Sequence, residues 1–176
     1  MSPRSSDDTF PPSLVTVIDT SALIEFKRIV KIDHQWDLLA SMRELVDSGA
    51  VAFPRQVAKE LAQGQHPDAP GAWIASAKGL MRHPQPTEET LVKVLAVAPQ
   101  LIDYETTADR EVADPYVVAM AYEVAAVDAG CRVVVVTTDI VDRLPAKLSL
   151  RTACQRMGIE VWSPADFIGW LEGGWA

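Results

Sequence analysis

The chain is poor in cysteine and histidine, with two cysteines and three histidines among its 176 residues. Cys131 and Cys154 are too few for the disulfide framework of a small secreted domain, so we expect both to be buried thiols. No Cys/His spacing suggests a zinc site. No apolar run approaches ~20 residues, which excludes a membrane-spanning helix. The polar start, Met1 to Asp8, lacks an apolar signal core and predicts a cytoplasmic protein.

Basic residues are also scarce, since 16 Lys and Arg stand against 24 Asp and Glu for a formal net charge of -8. This balance argues against a general nucleic-acid coat protein, which is usually basic. It leaves room for a nuclease whose acids gather in a pocket, because cations on the rim would still attract phosphate groups. The basic residues expected on the pocket side are Lys27, Arg28, Lys31, Arg143, Lys147 and Arg151.

Apolar residues make up 48% of the chain, enough for one globular domain with a core. Residues 1–13, rich in Ser, Asp and Pro, predict a loose tail, and residues 14–172 predict a single domain. Strands are predicted at about 14–18, 50–53, 131–137 and 159–162. Helical periodicity is predicted from 20 and at 35–46, 54–61, 72–81, 87–97, 114–129, 149–157 and 163–171. This alternation predicts an α/β fold with a mostly parallel sheet.

The tryptophans lie in patterns that predict burial. Trp36, Trp73, Trp162 and Trp170 occur among apolar residues and are expected in the core, whereas Trp175 follows Gly173 and Gly174 in a tail. The apolar helices after Trp36 could supply a face for a homodimer.

Four acids stand out by position: Asp19 and Asp139 end apolar strands, Asp114 opens a helix, and Glu60 lies beside the apolar face of another. Ligands of open α/β sheets bind beyond the carboxyl ends of the strands. Taken singly, each acid could be structural, as a helix cap at Asp19, Asp114 or Asp139 or a solvated charge at Glu60. Together they would repel one another, and Mg²⁺ or Mn²⁺ would relieve that repulsion. Such ions can clamp both oxygens of a hydrolysed phosphodiester.

Four segments resemble, in order, the motifs of a PIN domain, and they are residues 17–24, 54–61, 113–121 and 135–139. The resemblance covers residues 14–172 and implies a three-layer α/β/α sandwich with a mostly parallel central sheet. It implies a Mg²⁺- or Mn²⁺-dependent endoribonuclease, a hydrolase like the VapC toxins of toxin–antitoxin pairs, with an RNA substrate and a cognate antitoxin protein. The metal-binding and catalytic quartet would be Asp19, Glu60, Asp114 and Asp139.

The resemblance also implies supporting roles around the quartet. Ser21 and Thr138 would orient the carboxylates or a water, and Asp142 is a further candidate or else a surface acid. The helices between the second and third motifs make the chain longer than a small toxin, so it is similar to a longer, less characterised branch of the superfamily. Because the predicted site is oxygen-rich, we expect no metal role for His34, His66 or His83.

Two other classes remain in view. A PIN-like protein-binding module would use the same acids only as caps, and the net acidity of the chain favours it modestly. A phosphatase of the haloacid-dehalogenase type also begins with a strand-ending aspartate, but it normally has a second acid two residues later, where Ser21 stands.

Overall fold

The sheet has four parallel strands, which lie across it in the order Val51–Ala52, Leu14–Ile18, Arg132–Val136 and Glu160–Trp162. The computed structural model describes residues 13–63, 68–107 and 111–173. The strands are β1 Leu14–Ile18, β2 Val51–Ala52, β3 Arg132–Val136 and β4 Glu160–Trp162. This architecture confirms the predicted α/β fold with a parallel sheet. Residues 1–12 of the predicted tail lie outside the described residues.

Helices connect the strands and surround the sheet. They are α1 Thr20–Ile29, α2 Ile32–Ser48, α3 Arg55–Ala62, α4 Ala69–Ala77, α5 Glu88–Val97, α6 Tyr104–Thr107, α7 Asp114–Val127, α8 Leu150–Arg156 and α9 Pro164–Glu172, with 3₁₀ turns at Lys78–Leu80 and Pro99–Leu101. The predicted helix at 35–46 is longer at both ends. Pro54 is the N-cap of α3 rather than its first residue. The hydroxyl of Thr87 caps α5 as predicted by accepting from Thr90 N.

The helices form a layer on each side of the sheet. On one side α7 packs on β1 and β3, and α8 packs on β4 and α7. On the other side α1 packs against α9, where the rings of Phe26 and Phe167 stack with centroids 5.6 Å apart. Because both faces are covered, the central residues Val134, Val135 and Val136 of β3 are fully buried, which explains the continuous valine run.

The strand order changes direction between β1 and β3, and this position is called the switch point of the sheet. After β1 the chain crosses to β2 at one edge, and after β3 it crosses to β4 at the other. Ile18 pairs with Val136, so the two strands end in register. Backbone that follows them is therefore directed into one crevice, the usual ligand position of such sheets.

Two predictions about burial were wrong. Trp36 is 64% exposed, because it lies near the start of α2, ahead of Leu39, the first buried residue of that helix. Trp73 is buried, and Trp162 and Trp170 pack at the margin of the core. Cys154 is buried as expected, whereas Cys131 is only half-buried.

Trp175 and His66 lie outside the described residues. No helix within the described ranges combines the length and apolar character needed to cross a membrane.

Glu111 ties α3 to the beginning of α7. Its carboxylate accepts hydrogen bonds from Lys59 Nζ at 2.7 Å, Gln56 Nε2 at 3.0 Å and the Tyr116 hydroxyl at 2.9 Å. These donors, Lys59 first, lower the pKa of Glu111 to about 2. The contacts hold together the two helices that carry Glu60 and Asp114.

Glu111→Gln should lower the free energy of unfolding at pH 7, because it removes the charge that the three donors contact. The loss should be only about 1 kcal/mol, because solvent screens the partly exposed Glu111–Lys59 pair. A lowered folded-state pKa stabilises the protein above the ordinary value of 4.5, and that stability is lost as the pH falls toward about 2. Urea unfolding of both proteins at pH 7 and pH 3 should show a smaller difference at pH 3. An equal difference at both pH values would contradict this.

Candidate active site

Asp19 occupies the crevice directly after β1. Its backbone N–H donates to Val136 O at 3.0 Å, which continues the ladder between β1 and β3. Oδ1 accepts from Thr20 N at 2.7 Å and so caps α1, while Oδ2 accepts from Ser21 Oγ at 2.5 Å and from Thr137 Oγ1 at 2.9 Å. With 3% of its surface exposed, this carboxylate is buried and held by three donors.

Asp114 and Asp139 face the same ammonium group. Lys147 Nζ lies 2.8 Å from Oδ2 of Asp114 and 2.9 Å from Oδ2 of Asp139. Oδ2 of Asp139 also accepts from Leu150 N, the first residue of α8, at 3.1 Å. Asp114 is the first residue of α7, but the N-cap is Ala113 and no side chain caps this helix. The interpretation of Asp114 as an N-cap is therefore wrong.

Glu60 joins the cluster from α3. Its Oε2 accepts from Thr20 Oγ1 at 2.5 Å, and its Oε1 accepts from the backbone N–H of Ala113 at 2.9 Å. Those two neighbours adjoin Asp19 and Asp114 in the sequence, so the glutamate is fixed beside both. This position on α3 explains why Glu60 is half-buried rather than solvated.

The structure brings all four predicted acids into one cleft of about 510 Å³ at the switch point. The cleft is lined by Asp19, Thr20, Ser21, Ile24, Glu60, Asp114, Thr138, Asp139, Ile140, Val141, Arg143 and Lys147. Acids from α3, α7 and the ends of two strands thus converge, although they are separated by as much as 120 positions (19 to 139) along the chain.

The cleft disfavours further negative charge. Burial, followed by the like charge of Glu60, raises the pKa of Asp19 even though hydroxyl donors act in the opposite direction. Burial and then the charge of Asp19 raise the pKa of Asp114 to about 6. Burial alone would lower the pKa of Lys147, but Asp114 and Asp139 outweigh it and raise that pKa. Perturbed carboxyl groups of this kind are concentrated at functional sites.

A threonine that the sequence analysis did not single out supports Asp19. Thr137, fully buried, donates to Asp19 Oδ2 and accepts from Asp139 N at 3.0 Å, so one hydroxyl links two of the acids. Thr138 lines the cleft, but its backbone N–H makes the contact to Ser21 Oγ at 3.1 Å. The signal for Thr137 was its position as a polar residue directly after the four consecutive valines of β3.

Asp142 lies outside the cleft lining and has a structural role. Its carboxylate accepts from Ser149 N at 2.9 Å, Ser149 Oγ at 2.7 Å and Thr152 Oγ1 at 3.1 Å, which fixes the start of α8. These donors lower the pKa of Asp142, with Ser149 the largest cause.

Of the basic residues expected near the pocket, Arg143 and Lys147 line the cleft. Lys27 instead pairs with Asp68 at 2.5 Å, and Arg28 pairs with Glu25 at 3.3 Å. The remaining two, Lys31 and Arg151, are exposed outside the cleft lining. The described histidines also lie elsewhere, since His83 Nε2 bonds to Gly49 O and His34 lies 4.0 Å from Asp37.

The donor chemistry of the cleft fits Mg²⁺ or Mn²⁺, because the converging side chains offer oxygen atoms and prefer a positive neighbour. Among the described residues, no group of three or more His, Cys, Asp or Glu side chains is already arranged around a metal position. The Oδ2 atoms of Asp114 and Asp139 instead both contact Lys147.

Comparison with known proteins gives one informative match. No curated protein matches the chain. A family model described as "Domain of unknown function (DUF4411)" matches residues 16–172, which include all four acids, Lys147 and every strand from β2 to β4. Since this match covers most of the 176 residues, the chain belongs to the DUF4411 family.

Proposed function

We propose that this protein is a Mg²⁺- or Mn²⁺-dependent endoribonuclease. The observation that carries the proposal is the convergence of Asp19, Glu60, Asp114 and Asp139 in one cleft at the switch point of a parallel sheet. The raised pKa values of Asp19 and Asp114 support it, because carboxylates that repel one another favour a divalent cation. The resemblance to PIN domains supplies the reaction class.

The side chains of the cleft would have different roles in metal binding and catalysis. Asp114 and Asp139, with Asp19 and Glu60 beside them, would hold the cation. When bound, such an ion activates water for attack on a phosphodiester and stabilises charge on the leaving oxygen. Ser21 and Thr137 hold the carboxylate of Asp19 in one orientation, so little rearrangement is needed when a cation arrives.

The cleft also offers contacts to a phosphate backbone. Arg143 lines it beside the exposed side chains of Ile140 and Val141, on a segment that leads from β3 toward α8. A guanidinium at this place would attract the phosphates of RNA despite the overall acidity of the chain. RNA as the substrate comes from the resemblance.

A protein-binding module without catalysis is the second candidate. Two observations favour it: Asp19 caps α1, and Asp139 accepts from the first N–H of α8. Capping leaves Asp114 unexplained, because this acid caps no helix and lies beside Asp19 and Asp139 with a pKa raised to about 6. We therefore prefer the enzyme.

The resemblance extends the proposal to a cytoplasmic toxin held inactive by an antitoxin, and to a homodimer, since members of the PIN family often dimerise. The exposed apolar residues Ile29, Ile32 and Trp36 at the junction of α1 and α2 are the surface we propose for a second chain. Sequencing of the neighbouring reading frames for a small DNA-binding protein would test the toxin role.

The direct test is incubation of the purified protein with a mixed RNA pool. We expect cleavage with Mg²⁺ or Mn²⁺, loss of cleavage with EDTA and recovery when Mn²⁺ is added in excess. The product ends should carry 5′-phosphates, as the resemblance implies. RNA that is cut equally well by the purified protein in EDTA would exclude the proposed metal-dependent chemistry.

A further inference from the structure

Lys147 places a positive charge in the middle of the acid cluster. Its Nζ lies between Asp114 Oδ2 and Asp139 Oδ2, at 2.8 and 2.9 Å, and its side chain is 19% exposed. Both distances lie in the range of charge-assisted hydrogen bonds between an ammonium and a carboxylate. The ammonium therefore occupies the position between two carboxylates that a cation bound by those residues would take.

The backbone at Lys147 is anchored, so any movement must come from the side chain. Arg143 N donates to Lys147 O at 2.8 Å, and Lys147 N donates to Arg143 O at 3.1 Å. The next residue, Leu148, is buried and donates its N–H to Gln100 O at 2.7 Å. Four methylene groups separate this fixed backbone from the ammonium, which can therefore leave the acids without unfolding the turn.

The ammonium and a divalent ion compete for the same atoms. Mg²⁺ demands oxygen ligands at about 2.1 Å with little distortion. An ion bound to Oδ2 of Asp114 and Oδ2 of Asp139 would lie in contact with Nζ, and the two positive charges would repel strongly in a half-buried site. Lys147 and the metal cannot occupy this position together.

We propose that Lys147 is an exchangeable internal counter-ion that offsets part of the negative charge of Asp114 and Asp139 in the metal-free protein and must be displaced before a divalent ion binds. This inference rests on the proposed function, since it assumes that the cleft takes a metal. It makes Lys147 a residue that determines ion selectivity: a monovalent ion brings no more charge than the ammonium, whereas a divalent ion does. The free energy needed to displace Lys147 then makes metal binding weaker.

The test is calorimetric titration of the full chain with Mn²⁺ in the absence of RNA. Lys147→Met removes the charge at similar length, and we expect its dissociation constant for Mn²⁺ to be at least about tenfold lower than that of wild type. Lys147→Arg keeps a cation in the cleft and should bind Mn²⁺ about as weakly as wild type. An unchanged or weaker affinity in Lys147→Met would overturn the inference.

Lys27→Met is the matched control. Lys27 also contacts a carboxylate closely, Asp68 at 2.5 Å, but both residues lie outside the cleft lining, so its loss should leave the Mn²⁺ affinity unchanged. If neither wild type nor Lys147→Met takes up Mn²⁺, the proposed metal-dependent function fails as well. If both bind it equally, only the role of Lys147 fails.

A measurement on the unmodified sequence covers the case in which Lys147→Met does not fold. Acetylation of lysines by an N-hydroxysuccinimide ester, followed by mass spectrometry, reports how accessible each amine is. Displacement predicts that Mn²⁺ increases the acetylation rate of Lys147 several-fold and leaves that of Lys27 unchanged. A Lys147 rate that stays constant or falls on Mn²⁺ addition would show that the ammonium remains between the acids.

Discussion

Asp19→Asn should reduce RNA cleavage by about 10³-fold while the protein stays folded. The change removes a negative charge from the cleft at nearly constant shape, and loss of one group that stabilises transition-state charge can cost that much. The fold should tolerate it because the hydroxyls of Ser21 and Thr137 can rotate to accept from the new amide. Burial already disfavours the charge of Asp19, so the melting temperature should stay constant or rise.

Initial cleavage rates with saturating Mn²⁺, together with circular dichroism melting curves, would measure both effects. Asp142→Asn is the matched control, since it removes the same charge a few residues beyond Asp139 but outside the cleft lining. It should keep its cleavage rate and lose some stability, because Asp142 accepts from Ser149 and Thr152 at the start of α8. An Asp19→Asn protein that cleaves at the normal rate would rule out the proposed site.

Mn²⁺ should raise the melting temperature of the wild-type protein by about 5–10 °C. Metal at a hundredfold excess over its dissociation constant stabilises the folded state by about 2.7 kcal/mol, and each kcal/mol corresponds to roughly 2–4 °C for a chain of this size. The single variants Asp19→Asn, Asp114→Asn and Asp139→Asn should lose most of this shift. Thermal scans with and without Mn²⁺ measure it, and an equal shift in Asp142→Asn and the wild type is the internal control.

The increase in melting temperature caused by Mn²⁺ should become smaller at low pH. The pKa of Asp114 is about 6 in the metal-free fold, and a protonated carboxyl binds metal poorly. The stabilisation by Mn²⁺ should therefore be full above pH 7 and decrease as the pH falls through 6. A shift of constant size between pH 7.5 and pH 5.5 would mean that Asp114 does not participate.

The alternation of apolar strand segments with helical segments was enough to predict the fold. The valine run of β3 and the apolar run of β1 both indicated buried parallel strands, and the structure confirms them at Arg132–Val136 and Leu14–Ile18. Helix starts were also well predicted where a local cap exists, as at Thr87 and Ser163. Both successes have the same reason: helix caps and short continuous apolar runs depend on neighbours a few residues apart.

Predictions about single side chains were less successful. Trp36 looked like a core residue from its apolar pattern, but burial of α2 begins only at Leu39, and Trp36 lies ahead of it in the exposed start of the helix. Thr138 was preferred over Thr137, yet the alternation of side chains at the end of β3 directs Thr137 toward Asp19. Lys147 was one of several basic residues near the rim, and its sequence position contained no sign of the contacts with Asp114 and Asp139.

The sequence by itself determined which residues carry negative charge at the ends of buried strands and helices, and so where the carboxyl edge of the sheet would be acidic. Only the tertiary structure decided which positively charged side chain contacts those acids. The acids meet because β1 and β3 end in register and because the last turn of α3, which carries Glu60, lies beside the start of α7. The pairing of Lys147 with Asp114 joins residues 33 positions apart (114 to 147), which no local pattern specifies because chain path and side-chain rotamer together place the ammonium.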